Sequence, residues 1–105
     1  MFPKPSYKKQ RIKVQKITMQ LQKECYITRR PDGLHKHHIF YGPCRKWSEL
    51  YGLYIWLRPE WHTGDNGIHF DKQFDLRLKR EAQARFEEEY SRDLFMQLFG
   101  RNYID

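Results

Sequence analysis

Hydrophobic residues recur every four positions in the last third of this chain, which predicts a long amphipathic helix beginning at Asp71. The residues of this stripe are Phe74, Leu78, Ala82, Phe86 and Tyr90. Asp71 is the expected N-cap, because its carboxylate can accept a hydrogen bond from a backbone N–H of the first turn. A short final helix is predicted to start at Ser91 or Asp93 and to end at Gly100.

Shorter apolar segments in the middle of the chain predict strands. Residues 53–57, LYIWL, form the strongest of them, and Pro59 stops it. Residues 45–51 predict one or two helical turns ended by Gly52. Residues 58–70 have the glycine and asparagine content of a loop.

The turn signal Pro31-Asp32-Gly33 lies between two further candidate strands. The segments CYITR (25–29) and LHKHHIF (34–40) are predicted to pair across it as a hairpin. Residues 11–23 alternate in two blocks and fit either a strand or a basic helix. The order of elements predicts one small α+β domain, as the length of 105 residues also suggests.

Positive charge is concentrated at the start of the chain. Residues 1–23 contain seven basic residues and no acid, whereas residues 24–105 contain 13 of each, so the net charge of +7 lies in the first segment. We therefore divide the chain into a basic arm (1–23) and a domain (24–105). Such an arm is suited to hold a polyanion, nucleic acid above all, although a solvated tail is the alternative.

Cysteine content and hydropathy exclude several classes of protein. Cys25 and Cys44 form no Cys-x-x-Cys pair and are expected to be reduced thiols. No apolar run approaches the length that spans a membrane, and the first residues lack the apolar stretch of a signal peptide. These features predict a soluble, cytoplasmic protein.

All five histidines lie within 35 residues, between His35 and His69. His37 and His38 are neighbours, and on a strand their side chains point to opposite faces, so one can bind a metal while the other activates water. His62 and His69 form a second group that can return to the same ion. A metal held by a few neutral ligands keeps open positions for a phosphate oxygen, which suits phosphodiester hydrolysis. The alternative is a set of ordinary exposed or core histidines.

The stretch LHKHHIFYGPCRKWSELYGLYIWLRPEWHTGDNGIHF resembles the HNH, or His-Me finger, endonucleases. It is particularly similar to small phage-encoded HNH-like proteins, which share His-His-Ile-Phe, Arg-Lys-x-Ser-Glu-x-Tyr-Gly-Leu and Gly-x-His-Phe in this order. The closing GRNYI fits them too, and the resemblance covers residues 24–104. It implies a ββα-metal fold with a basic N-terminal arm and C-terminal helices.

The resemblance also implies roles for single residues. His38 matches the general base, and His37 matches the first ligand of one divalent ion. His62 would be the second ligand and His69 the third, with Asn66 as the competing candidate. Mg²⁺, Mn²⁺, Ni²⁺ or Zn²⁺ would be compatible, and an all-histidine set favours transition metals.

Two departures from the family's pattern stand out. The middle asparagine that usually fixes the loop holding the base is absent, and the matching segment reads Tyr51-Gly52-Leu53. Of the four positions of a structural zinc site, only Cys25 is a cysteine, and the others are Thr28, Arg58 and Trp61. No structural zinc is therefore expected, and side-chain packing should replace it.

The expected function is metal-dependent cleavage or nicking of DNA, with RNA as an alternative substrate. Contacts to phosphates are predicted for Lys8, Lys9, Arg11, Lys13, Lys16, Arg45, Lys46 and Arg58. The rival interpretation is a catalytically inactive HNH-like module that binds nucleic acid or a host protein, which the lost zinc cysteines favour.

Overall fold

The computed structural model describes residues 14–64 and 67–105, except for the side chain of Phe70. In these residues the chain forms two strands, β1 His35–His38 and β2 Tyr54–Leu57, and the α-helices α1 Arg45–Tyr51, α2 Pro59–His62, α3 Lys72–Glu89 and α4 Arg92–Phe99. Short 3-10 helices, Gly42–Cys44 and Ile68–Phe70, precede α1 and α3. The predicted α+β class is confirmed.

The sheet consists of β1 and β2, which run antiparallel with His37 opposite Ile55 and His38 opposite Tyr54. The predicted hairpin with residues 25–29 is therefore wrong. That segment closes on itself instead, because Cys25 exchanges backbone hydrogen bonds with Arg29 and Arg30 at 2.8 and 2.9 Å. Its Tyr26 N donates to Trp56 O of β2 at 2.8 Å, so the segment contacts the other strand of the sheet and not β1.

The predicted helix boundaries are largely confirmed. Gly52 ends α1 with φ of 77°, and a Cβ there would lie 2.3 Å from the carbonyl oxygen of Ile17, so only glycine fits. Asp71 caps α3 by accepting a hydrogen bond from Phe74 N at 3.0 Å. Ser91, rather than Asp93, caps α4, because its hydroxyl accepts from the backbone N–H of the third helical residue.

Residues 58–70 contain more regular structure than the predicted loop. Pro59 supplies the first residue of α2, where its missing N–H costs nothing and its fixed φ is already helical. His62 is the last residue of this single turn, and His69 lies in the 3-10 turn before α3. Between these two histidines, the backbone N–H of Gly67 donates a hydrogen bond to Gly64 O at 2.8 Å.

Within residues 14–23, both alternatives predicted for the segment, a strand and a basic helix, are wrong. This stretch is irregular and lies on the domain, with Ile17 and Met19 buried. Its backbone groups find partners elsewhere in the fold: Ile17 N donates to Tyr51 O at 2.8 Å, and Gln15 O accepts from the Tyr90 hydroxyl at 2.7 Å. Irregular backbone is therefore satisfied by tertiary contacts rather than by a regular ladder.

One hydrophobic core joins the inner face of the sheet to α3 and α4. Phe86, on the stripe of α3, is fully buried, and its ring centre lies 5.1 Å from Tyr51, 5.0 Å from Tyr90 and 5.5 Å from Phe95. Such aromatic pairs contribute about 0.5–1.5 kcal/mol each beyond the area they bury. The helices described here are too short or too polar to traverse a lipid bilayer.

Candidate metal centre

His37 enters the site from β1, on the side of the strand that faces the interior. Its side chain is 1% exposed. Its Nε2 atom is buried and has no hydrogen-bond partner among the described residues. A buried nitrogen without a partner is costly, so an occupant that binds this lone pair is the usual explanation.

The second group of histidines meets His37 from the other side. Ring centres lie 5.2 Å apart for His37 and His62, 5.1 Å for His37 and His69, and 4.8 Å for His62 and His69. One nitrogen from each ring lies within 4.8 Å of the other two. The structure therefore brings together the three residues that the sequence suggested as ligands, with His37 buried, His62 half-buried and His69 exposed.

The spacing of the nitrogen atoms fits a divalent ion. Two histidine nitrogens at the usual bond length around a tetrahedral ion are roughly 3.3 Å apart. The Nε2 atoms of His62 and His69 are 3.1 Å apart. Together with a nitrogen of His37 within 4.8 Å, these imidazole donors suit zinc, nickel or another transition metal.

Electrostatics keep His37 and His62 neutral and ready to donate lone pairs. Burial, reinforced by repulsion from His62 and His69, lowers the pKa of His37 from 6.5 to about 3. Burial also lowers the pKa of His62, with repulsion from His69 and His35 adding to it. Neutral imidazole is the form that binds a metal, so competition from protons is weak here near neutral pH.

His35 extends the cluster beyond the three candidate ligands. Its Nδ1 lies 3.2 Å from Nδ1 of His62, so one of the two nitrogens must donate a proton and the other accept it. When His62 donates from Nδ1, its Nε2 lone pair is free and faces His69. His35 and His37 are two residues apart on β1 and therefore share one face of the strand, which explains why both reach His62.

His38 points to the opposite face of β1 and contacts Glu49 of α1. The His38 Nε2 atom lies 2.8 Å from Oε1 of Glu49, which also accepts hydrogen bonds from Lys36 Nζ. The contact with His38, followed by that with Lys36, lowers the pKa of the Glu49 carboxyl to about 2. Glu49 therefore remains ionised beside His38.

Glu49 was missed by the sequence reasoning. It lies within the motif Arg-Lys-x-Ser-Glu, but its role depends on how α1 lies against β1, which no local pattern encodes. The asparagine of the HNH pattern is absent from this sequence. In the structure, the carboxylate of Glu49 contacts the Nε2 atom of His38.

A second missed group lies on the far side of the histidine cluster. The Tyr41 ring centre is 5.7 Å from that of His69, and Lys79 Nζ lies 4.3 Å from the centre of the Tyr41 ring. Lys79 also pairs with Asp75 at 2.7 Å, and its side chain is only 12% exposed. The interval of four residues between Asp75 and Lys79 is the signal that would have predicted this pair on α3.

The candidate phosphate contacts are divided among several surfaces. Arg45 and Lys46 are exposed and, with His38 and Glu49, line a cavity of about 430 Å³. Arg58 instead pairs with Asp32 and Glu60, each at 2.8 Å, so its charge is already compensated. Lys16 lies near Glu49, at 3.5 Å. The remaining candidates, Lys8, Lys9, Arg11 and Lys13, and the alternative ligand Asn66 lie outside the described residues.

Thr28 and Arg58, two of the positions that the resemblance matches to zinc ligands, contact Cys25. Its Sγ atom accepts hydrogen bonds from the backbone N–H groups of Thr28 and Arg58, both at 3.5 Å. Burial raises the pKa of this thiol, but these hydrogen bonds outweigh it and the net shift is downward. Trp61, the third of these positions, packs against the hydrophobic core. Cys44 lies elsewhere, with its Sγ atom donating to Phe99 O. Both cysteines are free thiols.

Comparison with protein-family models, with curated proteins and with solved structures found no match to this chain. The resemblance to HNH endonucleases therefore stays a prediction from the motifs. What the geometry contributes independently is the convergence of three histidines, one of which has a buried nitrogen without a partner among the described residues.

Proposed function

We propose that this protein is a metal-dependent DNA endonuclease or nickase in which His37, His62 and His69 hold one divalent ion. The observation that carries the proposal is the convergence of one nitrogen from each of these rings to within 4.8 Å, together with the buried Nε2 of His37, which lacks a partner among the described residues. His35 orients His62 through the contact between their Nδ1 atoms. Bound there, the ion would supply a Lewis acid for a phosphate oxygen.

His38 is the general base in this proposal. Its Nε2 is engaged by Glu49 at 2.8 Å, so its Nδ1 lone pair is the one left to accept a proton from water. The oxygen of that water forms a bond to phosphorus while the bond from phosphorus to the leaving oxygen breaks, and solvent protonates the leaving oxygen. Glu49 stabilises the imidazolium that His38 becomes, as a carboxylate does for a catalytic histidine elsewhere.

The test is nicking of supercoiled plasmid by the purified full chain with Mn²⁺ or Mg²⁺. We expect His38→Ala to lower the rate by at least about 100-fold, the range of a lost general base. Glu49→Gln should lower it by roughly 10- to 100-fold, because a hydrogen bond to a charged group is lost. Glu88→Gln, on the exposed side of α3, is the matched control and should leave the rate unchanged.

Equal rates for the wild type and His38→Ala would refute the assigned base. Salt-sensitive DNA binding with no cleavage under any divalent ion would refute the enzyme and favour the inactive nucleic-acid-binding module.

A further inference from the structure

Lysines and aromatic rings alternate on the outward face of the sheet. The register sets His38 beside Tyr54 and Lys36 beside Trp56, and all four side chains share this face. Lys36 Nζ lies 4.3 Å from the centre of the Tyr54 ring and 5.4 Å from that of Trp56. These rings therefore fix an ammonium group over the sheet.

The irregular segment 14–23 adds a cation at each end of this arrangement. Lys16 Nζ lies 5.5 Å from the centre of the Tyr54 ring, and Lys23 Nζ lies 4.3 Å from the centre of the Trp56 ring. We call Lys16, Lys36 and Lys23 the lysine row. It extends along β2 from the His38 end towards Trp56, and residues of this segment and both rings border a groove of about 310 Å³.

The lysine row retains excess positive charge. Glu49 lies 3.5 Å from Lys16 and 3.1 Å from Lys36, so one carboxylate is shared by two of the three ammonium groups. Lys16 and Lys36 keep side-chain exposures of 50% and 30%, and Lys23 is exposed as well. In the sequence, five more cations precede Lys16. A polyanion is the partner that this charge fits.

We propose that the lysine row binds the phosphodiester backbone of a nucleic-acid strand and leads that strand to His38. The proposal rests on the proposed function, which makes the phosphate beside His38 the one that reacts. Tyr54 and Trp56 serve as platforms that hold the lysine side chains in place, since a cation lies over each ring. The bases are not read, because ammonium groups contact phosphates as point charges.

The strand geometry favours a nucleic acid over an acidic protein segment. Tyr54 and Trp56 are on one face of β2 with their ring centres 6.2 Å apart, so the cations that lie over them are spaced along the strand. The row also ends at His38, which lies next in the chain to His37 of the metal cluster. Binding along the row would therefore bring the phosphodiester backbone to His38.

The test measures binding of a labelled single-stranded oligonucleotide to the full chain in EDTA, which prevents cleavage, between about 50 and 200 mM salt. We expect Lys23→Ala and Lys36→Ala each to lower the slope of log affinity against log salt by about 0.7. Between about 50 and 200 mM salt, the affinity of each variant should therefore fall by roughly 2.5-fold less than that of the wild type. Arg77→Ala removes a cation held over Phe74 on α3 and is the matched control, with a small effect expected.

Trp56→Leu provides a more specific test, because it removes the ring under Lys23 and Lys36 without changing the charge. Weaker binding with all lysines present supports the row, whereas unchanged binding shows that only net charge matters and overturns it. The melting temperature reports whether this variant folds, and the two lysine variants decide the question if it does not. Competition by polyglutamate as effective as competition by DNA would overturn the choice of nucleic acid.

Failure of this inference is distinguishable from failure of the proposed function. Plasmid nicking with a KM that the lysine variants leave unchanged overturns the lysine row and keeps the nuclease. Salt-sensitive binding that depends on Lys23 and Lys36, but without cleavage, keeps the row and overturns the nuclease.

Discussion

The two faces of the sheet are built from alternate residues of the same two strands, yet they support different chemistry. The inner face carries His35 and His37, with Ile55 and Leu57 opposite them in the core. The outer face carries Lys36 and His38 opposite Trp56 and Tyr54. Burial on the inner face lowers the pKa of His37 to about 3 and leaves a nitrogen without a partner.

On the outer face, the negative charge of Glu49 is compensated by the positive charge of Lys36. Glu49 accepts hydrogen bonds there and stays ionised, its pKa lowered to about 2 by His38 and Lys36. Neighbouring histidines in one strand thus differ in their surroundings, because His37 is buried among other histidines and His38 contacts an ionised carboxylate. The comparison teaches that strand alternation alone can place adjacent histidines in different chemical environments.

The largest expected effect is on metal affinity, and it should separate the two neighbouring histidines. We expect His37→Ala to weaken Ni²⁺ or Zn²⁺ binding by more than about 100-fold, beyond the cost of losing an outer-shell partner. His38→Ala should leave that affinity nearly unchanged, since it faces away from the cluster. Isothermal titration calorimetry on both variants checks this, and equal losses would erase the distinction between the faces.

Stability should also differ between the faces. Ile55 is fully buried, so Ile55→Ala removes core contacts and leaves a cavity, at a cost of about 2–5 kcal/mol in the free energy of unfolding. Lys23→Ala, on the exposed outer side, should change it by less than about 0.5 kcal/mol. Urea denaturation gives both values. Similar costs for the two variants would show that the inner face does not carry the core.

A smaller effect is expected within the inner face itself. His35 contacts His62 without belonging to the three converging ligands. His35→Ala should therefore weaken metal binding by roughly 10- to 100-fold, the range for a partner that orients a ligand. Calorimetry under the conditions used for His37→Ala ranks the two, and a loss as large as that of His37→Ala would make His35 a ligand.

Acid should destabilise the metal-free protein through the inner face. The pKa of His37 is about 3 in the fold and about 6.5 when unfolded, so between these values the unfolded chain binds more protons. Stability from this group is complete above pH 6.5 and falls as the pH drops towards 3. His37→Phe, measured by urea denaturation in EDTA, should reduce the pH slope by about 1.4 kcal/mol per unit. An unchanged slope would contradict the burial of neutral His37.

Much of the helical structure was predictable because its signals are local. The four-residue stripe and Asp71 located α3, and the left-handed glycines at positions 52 and 100 ended α1 and α4. The strand LYIWL was also recognisable from its composition. These features depend on neighbours in the chain, which is why pattern and capping suffice for them.

Strand pairing and the irregular segment were not predictable in the same way. The sequence favoured pairing of residues 34–40 with 25–29 across a turn, whereas β1 pairs with β2 beyond α1. Residues 14–23 alternate like a strand, but their backbone accepts hydrogen bonds from the side chains of Arg85 and Tyr90 and donates one to the distant backbone of Tyr51. In both cases the competing partners differ in tertiary contacts rather than in local preference.

The sequence by itself determined which residues are candidates for the chemistry of this protein. Five histidines in one short span, a cationic N-terminal segment and adjacent His37 and His38 on a strand were legible from residue types and the alternation of strands. The tertiary structure decided their partners. Glu49 on His38, His35 on His62 and the cations over Tyr54 and Trp56 arise from segments far apart in the chain. Such contacts depend on packing and register, which no local pattern contains.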